Sequence, residues 1–157
     1  MTHSTRTAFK KPQDLWVGLD LGTTHIKAIV VDAAGAQLAQ AEQRISLLLV
    51  ENGGVEQDLE EIWRATLEVL RRVAAAPCAG TVRALGVSAQ GGALQLLHSQ
   101  GEPAGRVISW LDQRARAYDA ALEQKLGRDW FRARIGHGRS GLSIGQLLRI
   151  RSEKPSA

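Results

Sequence analysis

The sequence predicts an α/β layered domain, and three observations carry that prediction. Short apolar segments separated by turn residues come first, an amphipathic segment with a capping residue follows, and the chain then returns to strand-forming residues. Residues 16–21 (WVGLDL) are β-favouring and are interrupted by Gly22, Thr23 and Thr24. Residues 26–31 (IKAIVV) form a second strand, 32–35 a turn ending in Gly35, and 36–49 a third, longer strand. Three strands joined by short turns read as an antiparallel meander. Asp58 then stands as an N-cap with Glu61 three residues on, the spacing of a capping box. Ile62, Thr66, Val69, Leu70 and Val73 recur at helical spacing, so one face of this helix packs on the sheet, with Trp63 expected in the core. The helix fades at 74–77; residues 83–88 form a strand, 93–98 its expected partner and 106–110 a short strand. Asp112 is placed to cap a helix running to Leu126 and closed by Gly127. Residues 129–135 read as helix, 136–141 as a glycine-rich loop and 143–152 as a final helix.

Composition limits the function classes. The chain has 157 residues, 44% of them hydrophobic and 23% charged, which suits one domain with a real core. Net charge is +4, but 20 Lys and Arg are spread along the chain against 16 acids, which argues against a nucleic-acid face. Cys78 is the only cysteine, so an internal disulfide and a thiolate zinc site are excluded. No apolar run approaches the roughly 18 residues of a membrane span. Residues 1–14, with Arg6, Lys10 and Lys11 but no apolar core, read as a disordered leader on a cytoplasmic protein.

The sharpest local signal is Asp20-Leu21-Gly22-Thr23-Thr24, followed by Lys27. Gly22 suits a backbone that approaches phosphate closely or takes positive φ. Successive N–H groups in such a turn form an anion nest, to which Thr23 and Thr24 add hydroxyls and Lys27 a positive charge. Asp20 repels bare phosphate; its sensible role is to hold Mg2+, with the metal bridging to phosphate oxygens. On the residues alone a tight β-hairpin fits the segment equally well. A P-loop is not supported, since no G-x-x-x-x-G-K-S/T occurs.

VGLDLGTTHIKAIVVD resembles the first phosphate motif of the actin, heat-shock ATPase and sugar kinase superfamily, in which two RNase H-like domains clamp ATP. Three further segments resemble the FGGY carbohydrate kinases in particular. They are Val55-Glu56-Gln57-Asp58 with Ile62-Trp63, residues 85–92 (LGVSAQGG), and residues 108–114 (ISWLDQR). They occur in that family's order, and the resemblance covers nearly all of the chain from Leu15 onward. It implies an RNase H-like α/β domain with a mixed sheet, an ATP- and Mg2+-dependent kinase, and a sugar or polyol as substrate. It also implies a sugar site at Gln90, Gly91, Gly92, Trp110, Asp112 and Arg114. The chemistry of these residues agrees. The Gln90 amide both donates and accepts, Gly91 and Gly92 leave space, Trp110 offers an apolar face, and Asp112 accepts from hydroxyls.

Departures from the family pattern bear on the sugar. Gly91-Gly92 replaces the Arg-Glu pair of glycerol kinases and the Met-His of many xylulose kinases, and Gln146 stands where many relatives carry Lys. A pentulose is the expected substrate, with glycerol disfavoured. No late aspartate has the context of the family's general base, so residues 15–157 are expected to be a truncated N-terminal domain. Such a domain would be inactive alone and would need a C-terminal domain or a second copy to complete it. A non-catalytic sugar- or nucleotide-binding protein and a heat-shock-type ATPase lobe are the alternatives.

Overall fold

A computed structural model of the chain describes residues 13–141 and 143–153. Among the described residues the fold has two sheets, four α-helices and a single 3-10 turn at Glu51–Gly53. The first sheet contains β1 (Gln13–Leu21), β2 (His25–Asp32), β3 (Gln37–Arg44) and β6 (Gly80–Ala89), in the order β3-β2-β1-β6. β1 to β3 form the expected antiparallel meander, and β6 runs parallel to β1, so the sheet is mixed. The second sheet is small and orders β4 (Leu48–Val50), β5 (Gly54–Gln57) and β7 (Val107–Ile108) as β4-β5-β7. Helices α1 (Leu59–Ala74), α2 (Arg116–Leu126), α3 (Arg128–Ile135) and α4 (Ile144–Glu153) complete it.

Alternation decides which sheet face is covered. Leu15 and Leu19 of β1, with Ile26, Ala28 and Val30 of β2, are buried against Ala65, Val69 and Val73 of α1. Each fully buried aliphatic side chain there contributes about 1.5–3 kcal/mol. On the opposite face Asp20 and Lys27 are directly paired across β1 and β2, and both are exposed. Asp58 caps α1, accepting from the Glu60 and Glu61 amides at 2.8 and 3.2 Å.

Several expectations are corrected. Gln13 and Asp14, assigned to the leader, belong to β1 opposite Gly80 and Thr81, while residues 1–12 and 154–157 lie outside the described residues. The third strand is two: β3 stops at Arg44, where the Ile45 amide donates to the Thr24 carbonyl at 2.9 Å, and β4 joins the other sheet. Residues 93–98 do not pair with β6. Leu94 bridges Ile108 and Leu97 bridges Pro103, so the segment folds onto the β7 region and leaves the outer edge of β6 free of it. Glu61 does not complete a capping box; its carboxylate accepts from the Ser46 amide and hydroxyl. Trp63 is 55% exposed rather than in the core. Beyond β1 no described residue covers the sheet: every residue of β6 is exposed, Val82, Leu85 and Val87 by half or more.

Candidate functional site

The turn between β1 and β2 is fixed by backbone contacts. The Gly22 amide donates to the His25 carbonyl at 3.1 Å, and a Cβ on Gly22 would lie 2.6 Å from that oxygen. Glycine is therefore required by close approach to the chain's own carbonyl, not by a positive φ. The remaining groups of the turn are tied outward. The Thr23 carbonyl accepts from Gln57 Nε2 at 2.9 Å, and the Thr24 hydroxyl lies 3.1 Å from His25 Nδ1.

Two segments far apart in sequence meet this turn. Trp110 Nε1 donates to Thr23 Oγ1 at 2.9 Å, although the indole stays 54% exposed. Gln90 Nε2 donates at 2.8 Å to Gln57 Oε1, and the Gln90 amide donates to the Leu21 carbonyl at 3.1 Å. Gln57 has no exposed surface and spans from the turn to Gln90. Gln90 Oε1 is buried with no partner among the described residues, a cost that an acceptor bears unless a donor reaches it. Gln57 lies in a segment that resembles the family but is not among the site residues expected from the sequence. Its signal was a polar side chain closing a short strand directly before a helix cap.

Trp110 forms one wall of a cavity of about 240 Å3, lined with Gly91, Gly92, Ser109, Asp112, Asp119 and Gln146 among others. Ser143 Oγ donates to the Gly92 carbonyl and holds that rim at 2.8 Å. Asp112 does not cap α2, which begins at Arg116 with Ala115 at its cap. Its carboxylate faces inward and is fully buried. Oδ1 accepts from the Arg114 amide and from Gln146 Nε2 at 3.0 and 2.9 Å, and Oδ2 from the Val55 amide and Arg114 Nη2 at 2.8 and 2.6 Å. Arg114 also reaches Glu56 at 2.8 Å. Burial pushes the Asp112 carboxyl up, but the Arg114 side chain, the Val55 and Arg114 amides and Gln146 outweigh it and leave the group at about 2. Arg114 is raised in turn, chiefly by Asp112. These two residues, expected at the sugar, bond to each other, to β5 and to Gln146 of α4.

Asp20 and Lys27 line a separate shallow groove of about 480 Å3 with Gly18, Ile29, Gly86 and Ser88. Thr24 borders a third depression with Arg44 and Ser46. The structure therefore brings Gly91, Gly92, Trp110 and Asp112 into one cavity, joins Thr23 to its wall through the Trp110 hydrogen bond, and leaves Asp20 and Lys27 in a separate groove. Gln90 and Arg114 stand behind. Among the described residues no three His, Cys, Asp or Glu side chains cluster as a metal site. A lone exposed carboxylate such as Asp20 fits a Mg2+ ion held mainly by water and phosphate oxygens.

The mixed sheet with its covering helix, and the glycine turn beside a polar cavity, define an RNase H-like domain of the kind that sugar kinases use. Residues 15–157 match "FGGY family of carbohydrate kinases, N-terminal domain", and the chain belongs to that family. A glycerol kinase of Gloeobacter violaceus is 37% identical over 129 residues, covering 82% of this chain and 25% of that protein. An erythritol kinase of Brucella abortus is 31% identical over 111 residues, covering 69% and 21%. The solved xylulose kinase of Rhodospirillum rubrum superposes with a TM-score of 0.81 at 26% identity, over 90% of this chain and 30% of that one. The chain thus spans about a quarter of the length of the curated relatives it matches.

Proposed function

We propose that this chain is the phosphate-loop and sugar-facing part of an ATP-dependent carbohydrate kinase that phosphorylates a hydroxyl of a neutral polyol or ketose. The observation that carries the reading is the 2.9 Å hydrogen bond from Trp110 to Thr23, which ties the glycine turn to the wall of the neighbouring cavity. Phosphoryl donor and acceptor must meet in line, so the two binding regions have to share a border.

In this reading the backbone of Gly22, Thr23 and Thr24 and the Lys27 ammonium hold nucleotide phosphate. Asp20 would hold Mg2+, which neutralises phosphate charge when bound. Trp110 supplies an apolar face to the carbon side of the polyol, and Gly91 and Gly92 leave it room. Asp112 and Arg114 are positioning residues that fix the segment carrying Trp110 to β5, and Gln57 and Gln90 hold the turn in register with the strand ends. The general base and the second nucleotide-binding wall would come from a further domain or a second copy. On its own the chain is a binding lobe. Glycerol, erythritol and xylulose kinases among the relatives support a short neutral substrate; a pentulose suits the space left by Gly91 and Gly92. The proposed setting is the cytoplasm, where ATP and Mg2+ are abundant.

Isothermal titration of the chain with Mg-ATP, glycerol, erythritol, xylitol and xylulose tests this, together with a coupled ADP-release assay. Binding of a polyol without turnover is the expected result. Failure to bind any of them refutes the reading, and unaided turnover refutes the binding-lobe part of it.

A further inference from the structure

We propose that Asp119 is a specificity-determining residue of the cavity beside Trp110, accepting a hydroxyl of a neutral polyol and turning away sugar acids. The inference rests on the polyol reading above and names the class of substrate the cavity selects. Two carboxylates line this cavity, Asp112 and Asp119. The first is buried and its oxygens are filled by Arg114, Val55 and Gln146. The second is held but not filled. Asp119 Oδ1 accepts from Ser140 Oγ at 2.6 Å, while Oδ2 accepts no hydrogen bond among the described residues.

The carboxylate is also fixed in place. It packs against Gly145 in the first turn of α4, where a Cβ would lie 2.6 Å from Asp119 Cγ. That leaves little freedom for the side chain to swing, and a helix N-terminus favours a negative charge beside it. Three other polar groups on the wall already have partners. Ser143 Oγ donates to the Gly92 carbonyl, Gln146 Nε2 donates to Asp112, and Ser109 Oγ accepts from the Leu111 amide. An ionised carboxylate accepts only, so Oδ2, which rests against Gly145 and has no hydrogen-bond partner among the described residues, matches a donor such as a hydroxyl. A sugar acid would bring a second negative charge within a few ångström, with no Lys or Arg among the residues that line the cavity; Arg114 is committed to Asp112 and Glu56, and Arg149 to Glu153 and Gln146.

Amide-resolved NMR titration of the full chain with xylitol and with gluconate tests the proposal, using wild type, Asp119→Asn and Ser140→Ala. In wild type, xylitol is expected to shift the Gly91, Gly92 and Trp110 indole signals, and gluconate is not. Asp119→Asn should weaken xylitol binding about tenfold, the loss of a hydrogen bond to a charged group, and should admit gluconate. Ser140→Ala keeps the charge, so it should still exclude gluconate. A dispersed spectrum is the folding control, and Asp119→Ser repeats the comparison if the amide disturbs α4. Xylitol affinity of Asp119→Asn within twofold of wild type, with gluconate still excluded, overturns the inference and leaves the polyol reading standing. A wild-type chain that answers no polyol removes both.

Discussion

Replacing Asp112 by Asn should unfasten the segment that carries Trp110, and the structure sets the size of the effect. The buried carboxylate neutralises Arg114 and receives the Val55 amide of β5. Asparagine keeps one acceptor but turns an NH2 group toward donors, either Val55 and Arg114 or Arg114 and Gln146. Arg114 then keeps only Glu56 as a charged partner. Removing one member of a buried pair costs about 3–5 kcal/mol; Arg114 and Glu56 are each 19% exposed, which argues for the lower end, about 3 kcal/mol. Urea unfolding followed by circular dichroism reads this directly, with the midpoint shifting and the slope unchanged. The pH profile gives a second reading. The Asp112 carboxyl is lowered from 3.8 to about 2 on folding, which corresponds to about 2 kcal/mol of stability at neutral pH. Because the folded value is the lower one, that contribution is present above about pH 5 and is lost as the pH falls toward 2. The Asn variant should lack that part of the acid sensitivity. A loss below about 1 kcal/mol, with an acid profile identical to wild type, would refute the clamp.

Gln57→Leu leaves the Thr23 carbonyl and the Gln90 amide without partners and should cost about 2–4 kcal/mol, read from the same urea curves; a neutral result would mean that water replaces it. Gly22→Ala places a methyl against the His25 carbonyl, so the turn must shift. Mg-ATP affinity should fall at least tenfold by titration calorimetry while the far-ultraviolet spectrum is kept; unchanged affinity would remove the turn from the nucleotide site. Val87→Lys, at a position 60% exposed, should change stability of this chain by no more than about 0.5 kcal/mol, and a larger loss would show that β6 is covered in solution.

The parts of the fold that repeat locally were legible in the sequence. The β-favouring runs of β1 and β2 mark the meander, and the helical spacing of Val69 and Val73 marks the face of α1 that packs on it. Pairing between distant segments was not, because an apolar strand does not name its neighbour: β6 joined β1 rather than residues 93–98. The break after Arg44 was hidden because a single amide, Ile45 to Thr24, ends the strand without a glycine or proline to mark it. At the site, residue types revealed which segments carry chemistry but not which way the side chains turn. Asp112 and Arg114 look like ligands in sequence and are turned onto each other in space. Gln57 looks like a strand end and lies at the centre of the contacts.

The joint between Gln57 and Asp58 has no slack. The last residue of β5 is buried beneath the glycine turn, and the very next one caps α1. A helix turns about 100° per residue. One residue added at this joint would carry Ala65, Val69 and Val73 off the sheet and bring Arg64, Glu68 and Arg72 into their places. The length of this connection is therefore set from both ends at once, and insertions that loops elsewhere in the chain absorb have nowhere to go here.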